Sequence, residues 1–317
     1  MTDSFTLDIA QLRVRISSNQ VALVDAWRRL FRHHGAEDNE PCTHEVELFD
    51  RAAYEQPADV SLRWRSTLLG VSAKPQAIPA SQSGSLLDKV LGFILRKKNQ
   101  PSRPQPVYSG SCEVSCFRDA EGREFIVPQK ADWRLIHMPD VHQTYVYMDA
   151  MNDDIESIAA AMLHVVGSQY GRYLLFASAV EENGEAVVFV GHGGAGKTTA
   201  CIERIEQGAK YMGDDLVLVY LENGAAMVGS ILIPARVVTA QSVEKKRVDF
   251  VDVPVRQAPL GKVYQLTRDH SRVTRKELDC GDVLVQLFDL TNSAHTHDNA
   301  AQYTGTLTDI MSDLALR

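Results

Sequence analysis

Cysteine is scarce in this 317-residue chain: five residues, at positions 42, 112, 116, 201 and 280. An odd, scattered set does not make a disulfide framework, which excludes a stapled secreted mini-scaffold. No apolar run reaches the roughly 18 residues of a membrane-crossing helix. A basic excess is missing too. Thirty-three Lys and Arg face 41 Asp and Glu, for a formal net charge of −8, which argues against a general nucleic-acid binder. Residues Met1 to Thr6 show neither the basic start nor the apolar core of a secretory signal. What is present, 44% hydrophobic and 23% charged residues, is ordinary for a chain that buries a core. The expectation is a cytoplasmic protein of one large or two modest domains.

The first third reads as α+β. Phe5, Leu7 and Ile9, then Leu12, Val14 and Ile16, alternate with polar residues and shift face near Ala10-Gln11, the period-2 pattern of strands. Ser18-Asn19 precedes Val21, Val24, Trp27, Leu30 and Phe31, whose three- and four-residue spacing predicts a helix. Alternation returns at Glu45–Phe49, Val60–Trp64, Glu124–Val127 and Thr144–Met148. Asp153-Asp154 opens a second helical run through Ile155, Ile158, Met162 and Val166, with acidic residues where the helix dipole favours them. Between these, a Ser/Gly-rich entry and the prolines 101, 104 and 106 bracket Leu86–Lys98. That stretch reads as a short amphipathic helix with a basic end, packed in an insertion or docked on a partner or anionic membrane surface. The domain expectation is residues 1–149 as an N-terminal α+β unit, with this helix near 85–98, followed by a second unit over 150–317.

The most informative segment is Ala186–Val190 followed by Gly191-His192-Gly193-Gly194-Ala195-Gly196-Lys197-Thr198-Thr199. An apolar strand, the pattern G-x-x-x-x-G-K-[ST] and a helical stretch coincide here, the context a phosphate-binding P-loop requires. The glycines let successive backbone N–H groups turn inward on an anion, and the following helix adds its positive end. Lys197 offers an ammonium to the β/γ-phosphates, and the Thr198 hydroxyl is a ligand for Mg²⁺. The expected partner is therefore a nucleoside triphosphate.

Tyr211-Met212-Gly213-Asp214-Asp215 then precedes the apolar run Leu216–Leu221. In ordinary P-loop GTPases and ATPases the metal-binding Asp ends a strand; here an acidic pair comes before one. This order, over roughly Leu174 to Leu290, resembles the HPr kinase/phosphorylase family and its relatives encoded in peptide-modification clusters. The resemblance implies an α/β P-loop kinase domain of the HPr kinase and phosphoenolpyruvate carboxykinase type, joined to the N-terminal α+β domain. It implies ATP and Mg²⁺ as cofactors and phosphoryl transfer to a serine or other hydroxyl of a peptide, protein or small molecule. By position, Asp214 would accept the hydroxyl proton, Asp215 and Thr198 would hold the metal, and Arg236, in the segment Gly229–Arg236, would stabilise transferring charge. Members of the family form rings, so the resemblance leaves a homo-oligomer open.

One position departs from the family pattern. Its segment before the P-loop strand carries a His where this chain has Phe176, in Leu174-Leu175-Phe176-Ala177-Ser178. Phenylalanine can neither move a proton nor hydrogen-bond the acidic pair, although His192 lies within the loop. The competing expectation is a nucleotide-binding regulatory or scaffold module that has lost transfer; a hydrolytic switch is a third. Other features read as structural. Cys112-x3-Cys116 has no second metal-ligand pair, and His295-x-His297 with Asp298 reads as a polar loop. His33-His34 follow a helix end, Lys245-Lys246-Arg247 and Arg256 form a solvated basic turn, and Lys262 sits on a strand. Neither a G-x-S-x-G elbow nor an H-E-x-x-H pair occurs.

Overall fold

The computed structural model describes residues 2–36, 41–54, 61–68, 112–128, 131–149, 154–191, 193–238, 245–251, 255–269 and 272–278. The amphipathic stretch 85–98 and the 295–298 segment lie outside them. The described residues form a mixed α/β structure with two large sheets and three α-helices. None of these helices is long and apolar enough to cross a membrane.

The first sheet has nine strands: β1 (Asp3–Ile9), β2 (Leu12–Ser18), β3 (Gly35–Ala36), β4 (His44–Asp50), β5 (Ser61–Leu68), β6 (Cys112–Arg118), β7 (Glu124–Pro128), β8 (Arg134–Met138) and β9 (Gln143–Met148). Their order is β3-β1-β2-β4-β9-β8-β7-β6-β5. The change of face at Ala10-Gln11 is a two-residue hairpin turn, both residues at positive φ (50° and 63°), with Ile9 paired to Leu12. Cys112 and Cys116 fall on β6, opposite Leu68 and Trp64.

Helix α1 (Val21–Leu30) buries Leu23, Val24, Ala26, Trp27 and Leu30; Val24, Trp27 and Leu30 lie on the stripe the spacing predicted, whereas Val21, placed on it too, is exposed at the helix start. Its cap is Gln20, without a side-chain bond. Ser18 closes β2 instead, its hydroxyl donating to the Leu48 carbonyl at 2.7 Å. Trp27 is fully buried, and its indole N–H reaches Met148 Sδ at 3.2 Å.

Helix α2 (Ile155–Gln169) is capped by Asp154, which accepts from the Glu156 N–H and the Ser157 hydroxyl. It is buried from Glu156 through Gly167, so it lies inside the molecule rather than on its surface.

The second sheet contains β10 (Tyr173–Leu175), β11 (Ser178–Glu182), β12 (Glu185–Val190), β13 (Lys210–Gly213), β14 (Val217–Glu222), β15 (Ala225–Gly229), β18 (Gln257–Asp269) and β19 (Arg272–Glu277). The order is β10-β14-β15-β18-β12-β11-β13, with β19 added to β18. Helix α3 (Lys197–Glu206) follows β12, and β16 (Ala235–Val238) pairs β17 (Lys245–Val248) as a separate ribbon. Asn183-Gly184 and Asn223-Gly224 form two-residue turns at positive φ, joining β11 to β12 and β14 to β15, the turn chemistry that matches strand twist.

Strand β12 explains its own composition. It runs between parallel β18 and antiparallel β11, and its side chains enter two different cores. Ala186, Val188 and Val190 join one cluster; Val187 and Phe189 join the other. A strand covered on both faces reads as a continuous apolar run.

The two sheets share a core. One buried cluster links Leu7, Trp27 and Val46 through α2 to Leu218, Tyr220 and Ile233. Polar contacts add to it: His34, after α1, accepts the Leu232 N–H at Nε2 (2.7 Å) with its Nδ1 3.2 Å from the Asp8 carbonyl. His33 and Arg32 both pair with Asp249.

Candidate phosphate-binding site

The geometry begins at the end of β12. Gly191 has φ 150°, and a Cβ there would lie 2.5 Å from the Leu266 carbonyl oxygen on neighbouring β18. Only glycine lets the chain leave the strand so close to another backbone. The loop then tucks Ala195 inward at 3% exposure and leaves Gly193 and Gly194 exposed, with open space where their Cβ atoms would be. Gly196, at φ 101°, caps α3 with no side-chain bond. No side-chain oxygen therefore caps the first-turn amides of α3. His192 lies outside the described residues.

Lys197 is the first residue of α3 and is 5% exposed. Its ammonium donates to the Gly191 carbonyl at 3.0 Å and sits 4.1 Å from the centre of the Phe176 ring. Thr198 follows, half-buried, and Thr199 is exposed.

The acidic pair arrives on a tight turn. Gly213 ends β13 where a Cβ would meet the Leu216 carbonyl oxygen at 2.7 Å, and it bridges to Ile231. Asp214 is 4% exposed, and Asp215 takes φ 64° before β14 begins. This reversal explains how Asp214 can precede a strand and still reach Thr198 at the end of the loop. The Thr198 hydroxyl donates to Asp214, lying 2.9 Å from Oδ1 and 3.1 Å from Oδ2, and the Ser178 hydroxyl donates to Oδ1 at 2.6 Å. The charge of Asp214 is felt by its neighbours. Burial first, and this carboxylate second, push the Cys201 thiol and the Tyr211 phenol well above their ordinary ranges. Cys201 is a buried, protonated core residue rather than a nucleophile.

The structure therefore brings together Gly191, Gly193, Gly194, Ala195, Gly196, Lys197, Thr198 and Asp214, with Asp215 next in the turn. Arg236 lies on β16, opposite Arg247, on the ribbon beside α3. Lys262 pairs with Glu277 at 3.3 Å, and Arg256 donates to the Asp8 carbonyl at 3.3 Å; both are structural contacts outside the loop.

Two residues near the loop, Ser178 and Arg268, were not singled out by pattern, and Phe176 was singled out only as a departure from it. Ser178 bonds the acid directly. Arg268, at the end of β18, reaches the Gly194 carbonyl at 3.5 Å. Phe176, read from sequence as a lost function, touches Lys197. Ser178 lies on the segment that carries Phe176, which was a usable signal. Arg268 had none, because its approach depends on the parallel pairing of β12 with β18.

A cavity of about 820 Å³ opens at the opposite end of α3, lined among others by Glu181, Glu182, Arg204 and Lys210. Four of its charged residues pair with one another, Glu181 with Lys210 at 2.8 Å and Glu182 with Arg204 at 3.3 Å. The chemistry of the loop lies elsewhere.

No family model matches this chain, and no curated protein matches it. Among solved structures it is similar to the HPr(Ser) kinase/phosphatase from Coxiella burnetii, with 13% identity over 36% of this chain and 91% of that one, at a TM-score of 0.25. Similarity at that level carries no function across, so the site's own geometry has to.

Proposed function

We propose that the chain is a P-loop phosphotransferase of the HPr kinase type. Residues 150–317 would form the transfer unit, and the unit at 1–149 would help position the acceptor. The reaction would move the γ-phosphoryl group of ATP to a hydroxyl of a peptide, protein or small molecule. The observation that carries this reading is the contact of the Thr198 hydroxyl with both oxygens of Asp214, directly after a glycine loop that opens into a helix.

The residues present fit a magnesium nucleotide. The outer face of Gly193 and Gly194 is open where side chains would obstruct a phosphate chain, and the nearby donors are hard oxygens, as Mg²⁺ prefers. Bound Mg²⁺ would supply charge neutralisation at the transferred group, held through Thr198 Oγ1 and a carboxylate of the acidic pair. The loop amides and Lys197 would bind and orient the phosphates. Ser178 and Thr198 fix the Asp214 carboxylate, and both of its oxygens already accept hydroxyl protons. That geometry favours Asp214 on the metal side and leaves Asp215 to take the acceptor's proton, the reverse of the division the family resemblance implies. Arg268 joins Arg236 as a candidate cation for the developing charge.

The test is calorimetry with ATP in magnesium buffer, followed by phosphorylation of candidate hydroxyl acceptors. Wild-type binding and transfer, both lost in Lys197→Ala, are the expected result. Binding without product across a broad acceptor set would favour the second reading, a nucleotide-binding regulatory module. Phe176 in the place of a proton-transferring residue is the observation behind that reading.

A further inference from the structure

We infer that Phe176 is a positioning residue that latches Lys197 in a folded-back state, released when a polyphosphate arrives. The inference rests on the phosphate-binding reading above and goes beyond it by assigning the ring a task.

Lys197 is 5% exposed, yet a ligand delivered from solvent must touch its ammonium. Two contacts among the described residues hold that ammonium. It donates to the Gly191 carbonyl at 3.0 Å, and the Phe176 ring centre lies 4.1 Å away. At this separation the negative face of the ring attracts the cation, and the attraction grows when water is excluded. Phe176 is itself half-buried against the shared core and stands in the break between β10 and β11, so packing on one side holds the ring. Two residues on, Ser178 bonds Asp214. One short segment thus sets the resting position of both the cation and the acid.

A phosphate oxygen competes with the Gly191 carbonyl and the ring for the same ammonium. Binding must repay both contacts, so the latch lowers affinity by the same factor for every ligand that takes the ammonium, and one with dense negative charge next to the loop offsets that cost best. The phenyl ring is therefore a working part of a charge-gated site rather than a vestige.

The experiment compares wild type, Phe176→Leu and Phe176→Tyr, measuring Mg-ATP binding by calorimetry and melting temperature with and without nucleotide. Leucine keeps the apolar anchor and removes the π-face; tyrosine keeps the face. Phe176→Leu is expected to bind Mg-ATP roughly three- to tenfold more tightly, the size of one partly buried cation–π contact. Phe176→Tyr should stay near wild type. The leucine variant should melt lower without ligand and show a larger nucleotide-induced rise, opposite directions that a merely structural defect does not produce. In ligand-free wild type the Lys197 ε-methylene protons should be ring-current shifted, and that shift should vanish in Phe176→Leu. Unchanged or weaker binding by the leucine variant, with wild-type binding intact, overturns the latch alone. No wild-type binding at all overturns the phosphate-binding reading and the latch's release step with it, even if the lysine shift is seen.

Discussion

The hydroxyl of Ser178 and the Oδ1 atom of Asp214 lie 2.6 Å apart, joining a residue of β11 to an acid in the turn before β14. Asp214 is nearly inaccessible at 4% exposure. A buried carboxylate is tolerable only when its oxygens find donors, and here Ser178 and Thr198 provide them.

Replacing Ser178 by Ala removes one of those donors. The stability loss should be about 1.5–3 kcal/mol, the range for a hydrogen bond to a charged group. Urea unfolding of Ser178→Ala against wild type reads it out, and an undiminished midpoint would count against the bond.

Asp214→Asn keeps the shape of the acid and discards its charge. If Asp214 stands beside the metal, Mg-dependent transfer should fall about 10²–10³-fold, as when one electrostatic partner of a transition state is lost. Nucleotide affinity measured without magnesium should change little. A variant that keeps its full magnesium response would remove this assignment.

Two glycines admit no side chain. Gly191→Ala would drive a methyl toward the Leu266 carbonyl, and Gly213→Ala toward the Leu216 carbonyl, at 2.5 and 2.7 Å. Each should destabilise the protein by about 1–3 kcal/mol, the usual cost of overpacking. Gly193→Ala, where nothing lies within 4 Å, should leave thermal stability unchanged while obstructing nucleotide. Equal melting temperatures for all three would contradict the described loop.

Burial holds the rings of His34, His44 and His137 neutral below the usual imidazole range. Burial, aided by nearby Arg256 and His33, lowers His34 to about 4. Burial beside His142 lowers His44 to about 4, and burial with His44, Arg118 and His142 close by lowers His137 to about 3. His44 and His137 stack at 5.5 Å and share Thr144 Oγ1, at 2.8 and 2.9 Å.

In the unfolded chain these rings bind protons near pH 6.5; in the folded protein they stay neutral until about pH 4 or below. The unfolded state therefore binds more protons between those limits, and stability falls as pH drops from 6.5 toward 4. The total loss should be on the order of several kcal/mol. Urea melts at pH 7, 6 and 5 test it, with His44→Gln flattening the slope. A slope that is already flat in wild type would contradict the burial of these rings.

Much of this fold is legible in residue order, because local chemistry decides it. The alternation at Phe5–Ile16, the apolar stripe of Val21–Leu30 and the Asp154 cap need only a period and a capping oxygen. The glycine loop between an apolar strand and a helix is equally local, since each glycine answers to its own backbone angles. The pairing of Thr198 with Asp214 is not local. It depends on the Gly213 turn, and on β13 and β12 lying on either side of β11. Phe176 shows the difference most directly. As a letter it marks the absence of a proton carrier; beside Lys197 it is the ring that holds a cation. Which residue meets which across the sheet is decided by long-range strand pairing and burial, and no short window of sequence contains those forces.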